Sequence, residues 1–170
     1  MEIRISPIRP EFAKDTWQHR EGKHLWRYME CDTPLPATYE SEREAYQRMA
    51  DESGSKVFAI LADNMMIGAV KLKRIGHGTS ELGYYILHPD FMHKGVAKKA
   101  VWQAVEFGFE ALNLDMMYLY INPRNISSFA MALNLGFWSV GLALPNPEVQ
   151  RLEMTRTVYN RIKEQYGKKN

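Results

Sequence analysis

The 170-residue chain has a single cysteine, Cys31, which excludes an intramolecular disulfide framework and a zinc cluster built on thiolates. It has no apolar run approaching the roughly 18 residues that span a membrane. Met1 to Arg9 carries charges where a secretion signal needs an apolar stretch, so the cytoplasm is the expected compartment. Charge of one sign is also scarce: 22 Lys+Arg against 20 Asp+Glu leave a formal net charge of +2, which argues against a whole-surface nucleic-acid binder. No internal repeat, low-complexity tract or linker divides the sequence, and one domain over residues 1–170 is expected. With 45% hydrophobic and 25% charged residues, the composition is that of a soluble chain with a substantial core.

What the chain does have is punctuated periodicity. Ile3 and Ile5 alternate with Arg4 and Ser6, as in a strand. Glu11 to Gln18 reads as helical, Lys23 to Met29 as an aromatic-rich segment without an assignable period, and Cys31 to Pro36 as a loop. Thr38 is placed as the N-cap of a helix running to about Ala50, with Glu40, Glu42 and Glu44 in its early turns. Lys56–Ala62, Ile67–Arg74 and Ser80–Leu87 form an antiparallel meander that turns at Asp63-Asn64 and Gly76-His77-Gly78. Val96, Ala100, Val101, Ala104, Val105, Gly108 and Leu112 follow helical spacing, on a face small enough to lie close to a sheet. Met116–Ile121 is a further strand, and Asn125–Leu135 is a helix closed at Gly136. Phe137–Ala143 and Val149–Thr155 are two more strands, and a polar segment without an assigned element ends the chain. The order β-α-α-β-β-β-α-β-α-β-β defines a mixed α/β domain.

Met92-His93-Lys94-Gly95-Val96-Ala97-Lys98-Lys99-Ala100 is the most informative stretch, because a basic, glycine-containing loop there opens directly into a helix. Such a start offers unpaired backbone N–H groups and the positive end of the helix dipole to an anion. Gly95 permits close approach and Ala97 keeps the first turn thin. The competing reading is an ordinary helix start that uses glycine for a turn.

The loop at Gly95 and Ala97, followed by Asn125-Ile126-Ser127-Ser128 and then Asn134-Leu135-Gly136-Phe137, resembles the GNAT superfamily of acyl-CoA-dependent N-acetyltransferases. That family's pyrophosphate loop reads Q/R-x-x-G-x-G/A; Gly95 and Ala97 match, while Met92 stands at the Gln/Arg position. The likeness runs from about Val57 to Phe137 and is nearest the branch of ribosomal-protein alanine and spermidine acetyltransferases. It implies an α/β fold with a mixed, mostly antiparallel central sheet flanked by helices and a splayed fourth strand. It also implies acetyl-CoA as cosubstrate, no metal, and direct acetyl transfer to a primary amine in a ternary complex. A protein N-terminus, a polyamine or an amino sugar are the open acceptors. By the same resemblance, the main chain of Ile86, Leu87 and His88 would hold the pantetheine, and Met92, His93, Lys94, Gly95, Val96 and Ala97 the pyrophosphate. Asn125 would bond the pantetheine, and Ser128 would approach the sulfur.

The departures carry information too. Many relatives place a tyrosine as general acid where this chain has Ala132, which leaves Ser128 as the substitute. Glu81 stands at the start of the fourth strand, where relatives often carry a general base. The run from Gly83 to Pro89 is one residue longer than the family pattern, and a bulge that absorbed it would splay the strand. The five histidines, His88 and His93 included, show no ligand spacing and read as loop residues. Methionines and Trp17, Trp26 and Trp102 read as core. Acids near Glu40 to Glu44 serve either the helix dipole or a cationic acceptor. The alternative to an enzyme is a GNAT-shaped acyl-CoA-binding module with weak or lost catalysis. A small-molecule or peptide amine is the expected partner, with no nucleic acid and no membrane; a homodimer is left open.

Overall fold

The computed structural model describes residues 1–20, 38–143 and 146–167. The readings at Lys23 to Met29, Trp26 and Cys31 to Pro36 lie outside the described residues. Strands β1 (Ile3–Pro7), β2 (Lys56–Ala62), β3 (Met65–Gly76) and β4 (Thr79–Ile86) are antiparallel neighbours. The hairpins turn where expected. Asp63 (φ 48°) with Asn64 (φ 85°), and His77 (φ 49°) with Gly78 (φ 73°), take the left-handed pairs that match the twist of the strands they join.

Between β1 and β2 the chain makes a 3-10 turn (Pro10–Phe12), the short helix α1 (Ala13–Thr16) and a second 3-10 turn (Trp17–His19), where one helix was expected. Helix α2 (Tyr39–Asp51) then starts at Thr38, whose hydroxyl accepts the N–H of Ser41 while the Ser41 hydroxyl accepts that of Thr38. After β4, helix α3 (Val96–Glu106) runs on through one wider π turn at Phe107–Ala111. Strand β5 (Met116–Ile121), helix α4 (Ile126–Leu135), strands β6 (Trp138–Leu142) and β7 (Gln150–Thr155), and helix α5 (Arg156–Gly167) complete the chain. The sheet order is β1-β2-β3-β4-β5-β7-β6, with β4 and β5 parallel across the α3 crossover.

The sheet divides two cores. On one face Val96, Ala100, Val101, Ala104 and Val105 of α3 are buried against Ile60, Leu72, Met117 and Leu119. Small side chains let α3 lie close: Gly108 approaches Met117 Sδ so nearly that an added Cβ would stand 2.7 Å from it. Gln103 of α3 clamps β1, accepting the N–H of Ile5 at 3.0 Å and donating to the carbonyl of Ile3 at 2.8 Å. On the other face α1 and α2 cover β2 and β3 around the fully buried Tyr46.

Helix α5 departs from the sequence reading. Tyr159 is fully buried and stacks on Phe109 at 4.6 Å between centroids, with Val158 and Ile162 beside it. Val158, Tyr159, Ile162 and Tyr166 are four apolar or aromatic residues in a dozen, too narrow a stripe to stand out as periodicity. Gly136, at the C-cap of α4 with φ 102°, occupies space that the Ile162 side chain would contest with any Cβ. Gly136→Ala therefore combines left-handed backbone strain with overpacking. Its expected cost is about 2–4 kcal/mol, read as a lower chemical-denaturation midpoint.

Candidate active site

The central geometric fact is a parting of the sheet. β4 and β5 pair only at Thr79–Met116, Ser80–Met117 and Glu81–Tyr118. Beyond Glu81, β4 keeps its pairing with β3 while β5 diverges. The N–H of Leu87 bonds to the carbonyl of Ile67 at 2.8 Å. By strand alternation, the backbone groups of Tyr84 and Ile86 therefore point away from β3, into the gap. His88 donates to the same Ile67 carbonyl at 3.2 Å, so two residues of one strand face one of the other.

A cavity of about 750 Å³ fills the gap. Its floor is Tyr84, Tyr85 and Ile86, its mouth Phe91 to His93 and Gly95 to Lys98, and its far wall Arg124 to Ser128 with Met131. At the mouth, His93 (φ 58°) and Gly95 (φ 74°) turn the chain left-handed into α3. The first intrahelical donor is Lys99, bonded to the Gly95 carbonyl at 3.4 Å, and no side chain caps the helix. The N–H groups of Val96, Ala97 and Lys98 thus begin the helix without intrahelical acceptors, at the positive end of its dipole. A Cβ on Gly95 would meet no protein atom within 4 Å. The space in front of it is open. Lys98 and Arg124 add positive charge to the same cavity.

Asn125 caps α4, its side chain accepting the N–H of Ser128 at 3.4 Å. Ser128 lines the cavity across from β4. Of the residues singled out in the sequence, the cavity gathers Ile86, Met92, His93, Gly95, Val96, Ala97, Asn125 and Ser128. It does not gather Leu87, His88 or Lys94. Leu87 is fully buried, and both its N–H and that of His88 are taken by Ile67. The His88 carbonyl is taken as well, by the N–H of Phe91 at 3.1 Å. Lys98 belongs to the stretch singled out in the sequence, whereas Phe91, Arg124, Met131, Tyr84 and Tyr85 line the cavity without having been placed there; only the facing of β4 identifies the tyrosines.

Glu81 also lies away from the cavity. One carboxylate oxygen meets Lys73 Nζ at 2.7 Å and the other Arg74 Nη1 at 2.6 Å, with the glutamate side chain 9% exposed. Both oxygens are occupied. Glu81 heads a register row across the sheet, Lys73–Glu81–Tyr118–Glu153–Trp138, on the face opposite α3. Beside it Arg151 lies 4.0 Å over the Tyr118 ring and donates to Glu153 at 2.7 Å and to the Tyr120 hydroxyl at 3.0 Å.

Glu42, a candidate for recognising a cationic acceptor, is fully buried instead. Arg20 Nε reaches its carboxylate at 2.8 Å, the Thr16 hydroxyl donates to it at 2.9 Å, and Arg20 also donates to Tyr46 and Tyr85 at 3.3 Å. Burial opposes the charge on Arg20, but Tyr85, Tyr46 and Glu42 raise its pKa. This network seats Tyr85 from behind. Tyr84 and Tyr85 face opposite sides of the sheet, one packed on the α3 core and the other on the α2 core, yet both line the cavity. The opening therefore passes through the parted sheet.

The fold is thus a seven-stranded mixed sheet split between two parallel strands, with a helix N-terminus uncapped by any side chain at the mouth of the split. The GNAT acetyltransferase domain matches residues 2–138, and the chain belongs to that family. It is an acetyl-CoA-dependent N-acetyltransferase. It is similar to the spermidine N(1)-acetyltransferase of Escherichia coli (strain K12), 25% identical over 136 residues, 79% of this chain and 72% of that protein. It is also similar to a probable N-acetyltransferase, YjcK, of Bacillus subtilis (strain 168), 30% identical over 122 residues, 66% of each. Among solved structures, RimJ of Mycobacterium smegmatis in complex with CoA-disulfide superposes with a TM-score of 0.81 at 18% identity, over 90% of this chain and 81% of that one. The spermidine N-acetyltransferase of Vibrio cholerae in complex with CoA and spermine gives 0.76 at 19% identity, over 93% and 98%. These structural likenesses are likenesses of fold. No helix among the described residues is long and apolar enough to cross a membrane, and those residues hold no cluster of three or more metal-ligating side chains.

Proposed function

We propose that acetyl-CoA lies in the gap between β4 and β5 and that a primary amine attacks its carbonyl directly in a ternary complex. The single observation that carries this reading is the cavity through the parted sheet. Its floor offers the unpaired main chain of Tyr84 and Ile86, and its mouth offers the free N–H groups of α3. Bound there, acetyl-CoA supplies an activated acetyl group. The chain does the rest. Val96, Ala97 and Lys98 hold the pyrophosphate with backbone N–H groups, while Lys98 and Arg124 neutralise phosphate charge. Met92 offers no such contact: its side chain is apolar and its N–H is bonded to Pro89 at 3.1 Å. Tyr84 and Ile86 orient the pantetheine as an added strand would be oriented. Asn125 fixes the first turn of α4 and so sets Ser128 at the sulfur end.

The acceptor approaches from the face that carries Tyr85, Tyr118 and Tyr120, because α3 covers the other face. Kinship with spermidine acetyltransferases supports a small-molecule amine. Calorimetry with acetyl-CoA, followed by thiol release over polyamines, peptides, amino sugars and aminoglycosides, tests the reading. Micromolar binding with turnover on one class is expected. Absence of binding sinks it, and binding without turnover on any class reduces the chain to a binding module.

Ser128→Ala is expected to lower kcat about 10- to 100-fold with little change in acetyl-CoA affinity, since Asn125 still caps the helix through the backbone N–H. Equal kcat in the variant removes Ser128 from the chemistry.

A further inference from the structure

The cavity holds one donor that the motifs leave unused. The Tyr84 hydroxyl is sealed from solvent and makes no well-formed hydrogen bond; the Ser128 side chain stands within its reach, and both residues line the cavity. Native structures seldom bury a polar atom unsatisfied, and one aimed into a ligand site marks where the ligand's own polar atom belongs. The facing of β4 settles the direction: Leu82, Tyr84 and Ile86 turn to the α3 core, so the phenol reaches the same end of the cavity as Ser128. Helix α4 supplies no phenol of its own, since Ala132 is fully buried.

Given acetyl-CoA in this cleft, we propose that the Tyr84 hydroxyl donates a hydrogen bond to the sulfur as the carbon–sulfur bond breaks and so stabilises coenzyme A leaving as its thiolate. As the nitrogen–carbon bond forms, the electron pair of the carbon–sulfur bond passes to sulfur, and the proton of the attacking amine leaves to solvent. The O–H bond of Tyr84 stays intact. Burial pushes the phenol's pKa up to about 12, with Ser128 pulling only partly against it. A cysteine thiol titrates near about 8.5 and an alkyl thiol such as that of coenzyme A somewhat higher, still below this phenol, so a proton would move uphill from the phenol to the thiolate. Tyr84 therefore acts as a donor that keeps its proton, and it stays a donor at every pH the protein is used at.

Calorimetry comparing coenzyme A with dethio-coenzyme A, which lacks the sulfur, tests the claim. At a pH above the pKa of the coenzyme A thiol, where the thiol is largely ionised, the wild-type protein is expected to bind coenzyme A about tenfold more tightly than dethio-coenzyme A, and the preference is expected to shrink as pH falls below that pKa. Tyr84→Phe is expected to abolish the preference, leave dethio-coenzyme A affinity unchanged, and lower kcat at least about tenfold with KM for acetyl-CoA unaltered. If Tyr84 only packs against Ser128, the substitution weakens both ligands equally, and the proposal is overturned. A wild-type protein with no preference at high pH overturns it without any variant. Failure of both ligands to bind the wild-type protein overturns the placement of the cosubstrate itself.

Discussion

Gly95→Trp is expected to abolish coenzyme A binding, a loss of at least about a hundredfold by calorimetry, in a protein that still unfolds cooperatively near the wild-type temperature. The two halves of this outcome have separate causes. Gly95 stands at φ 74°, so any other residue there bears left-handed strain of about 1–2 kcal/mol. A Cβ at that position meets no protein atom, so the fold itself has room for a side chain. That room is the mouth of the cavity, in front of the N–H groups of Val96, Ala97 and Lys98. An indole fills it and displaces the phosphates. Gly95→Ala makes the comparison quantitative, since it adds the backbone strain with only one methyl group. If Gly95→Trp binds as well as the wild type, the pyrophosphate lies elsewhere.

Glu42→Leu is the substitution expected to cost most in stability, about 3–5 kcal/mol, because it leaves Arg20 charged in a dry site. For a domain of this size the melting temperature should fall by roughly 10 °C. The double variant Arg20→Met with Glu42→Leu is expected to recover most of that loss, since replacing both members of a buried pair removes the uncompensated charge. Equal destabilisation in the single and double variants would show that the pair contributes packing alone. Thermal melts read stability. Kinetics on the double variant read the second role of the network, because Tyr85 loses the Arg20 contact that seats it at the cavity.

The features legible in the sequence share one property: their physics is local. The Asp63-Asn64 and His77-Gly78 turns, the Thr38 and Asn125 caps, the Gly136 closure and the Gly95 helix start each depend on residues within four positions of one another. The helix start at Gly95 was readable for that reason. The fold followed from resemblance carried by those same local motifs, and the parted β4–β5 pair agrees with it. What the sequence did not show was nonlocal. Glu81 looked like a base by its place in the strand, but Lys73 and Arg74 close over it. Helix α5 was hidden because Tyr159 finds its partner, Phe109, fifty residues earlier in the chain.

The sequence by itself determined where this chain turns, where its helices begin, and that one helix start is fitted for an anion. Only the tertiary structure decided which backbone groups are free and which side chains face the cleft. Leu87 and His88 both give their N–H groups to the Ile67 carbonyl, whereas the backbone groups of Tyr84 and Ile86 turn away from β3. Strand residues alternate faces, so a shift of one residue exchanges the α3 side of β4 for the α2 side. Tyr84 and Glu81 stand three residues apart on the same strand, and that odd spacing sends them to opposite faces: the phenol to the α3 side beside Ser128, the carboxylate to two cations.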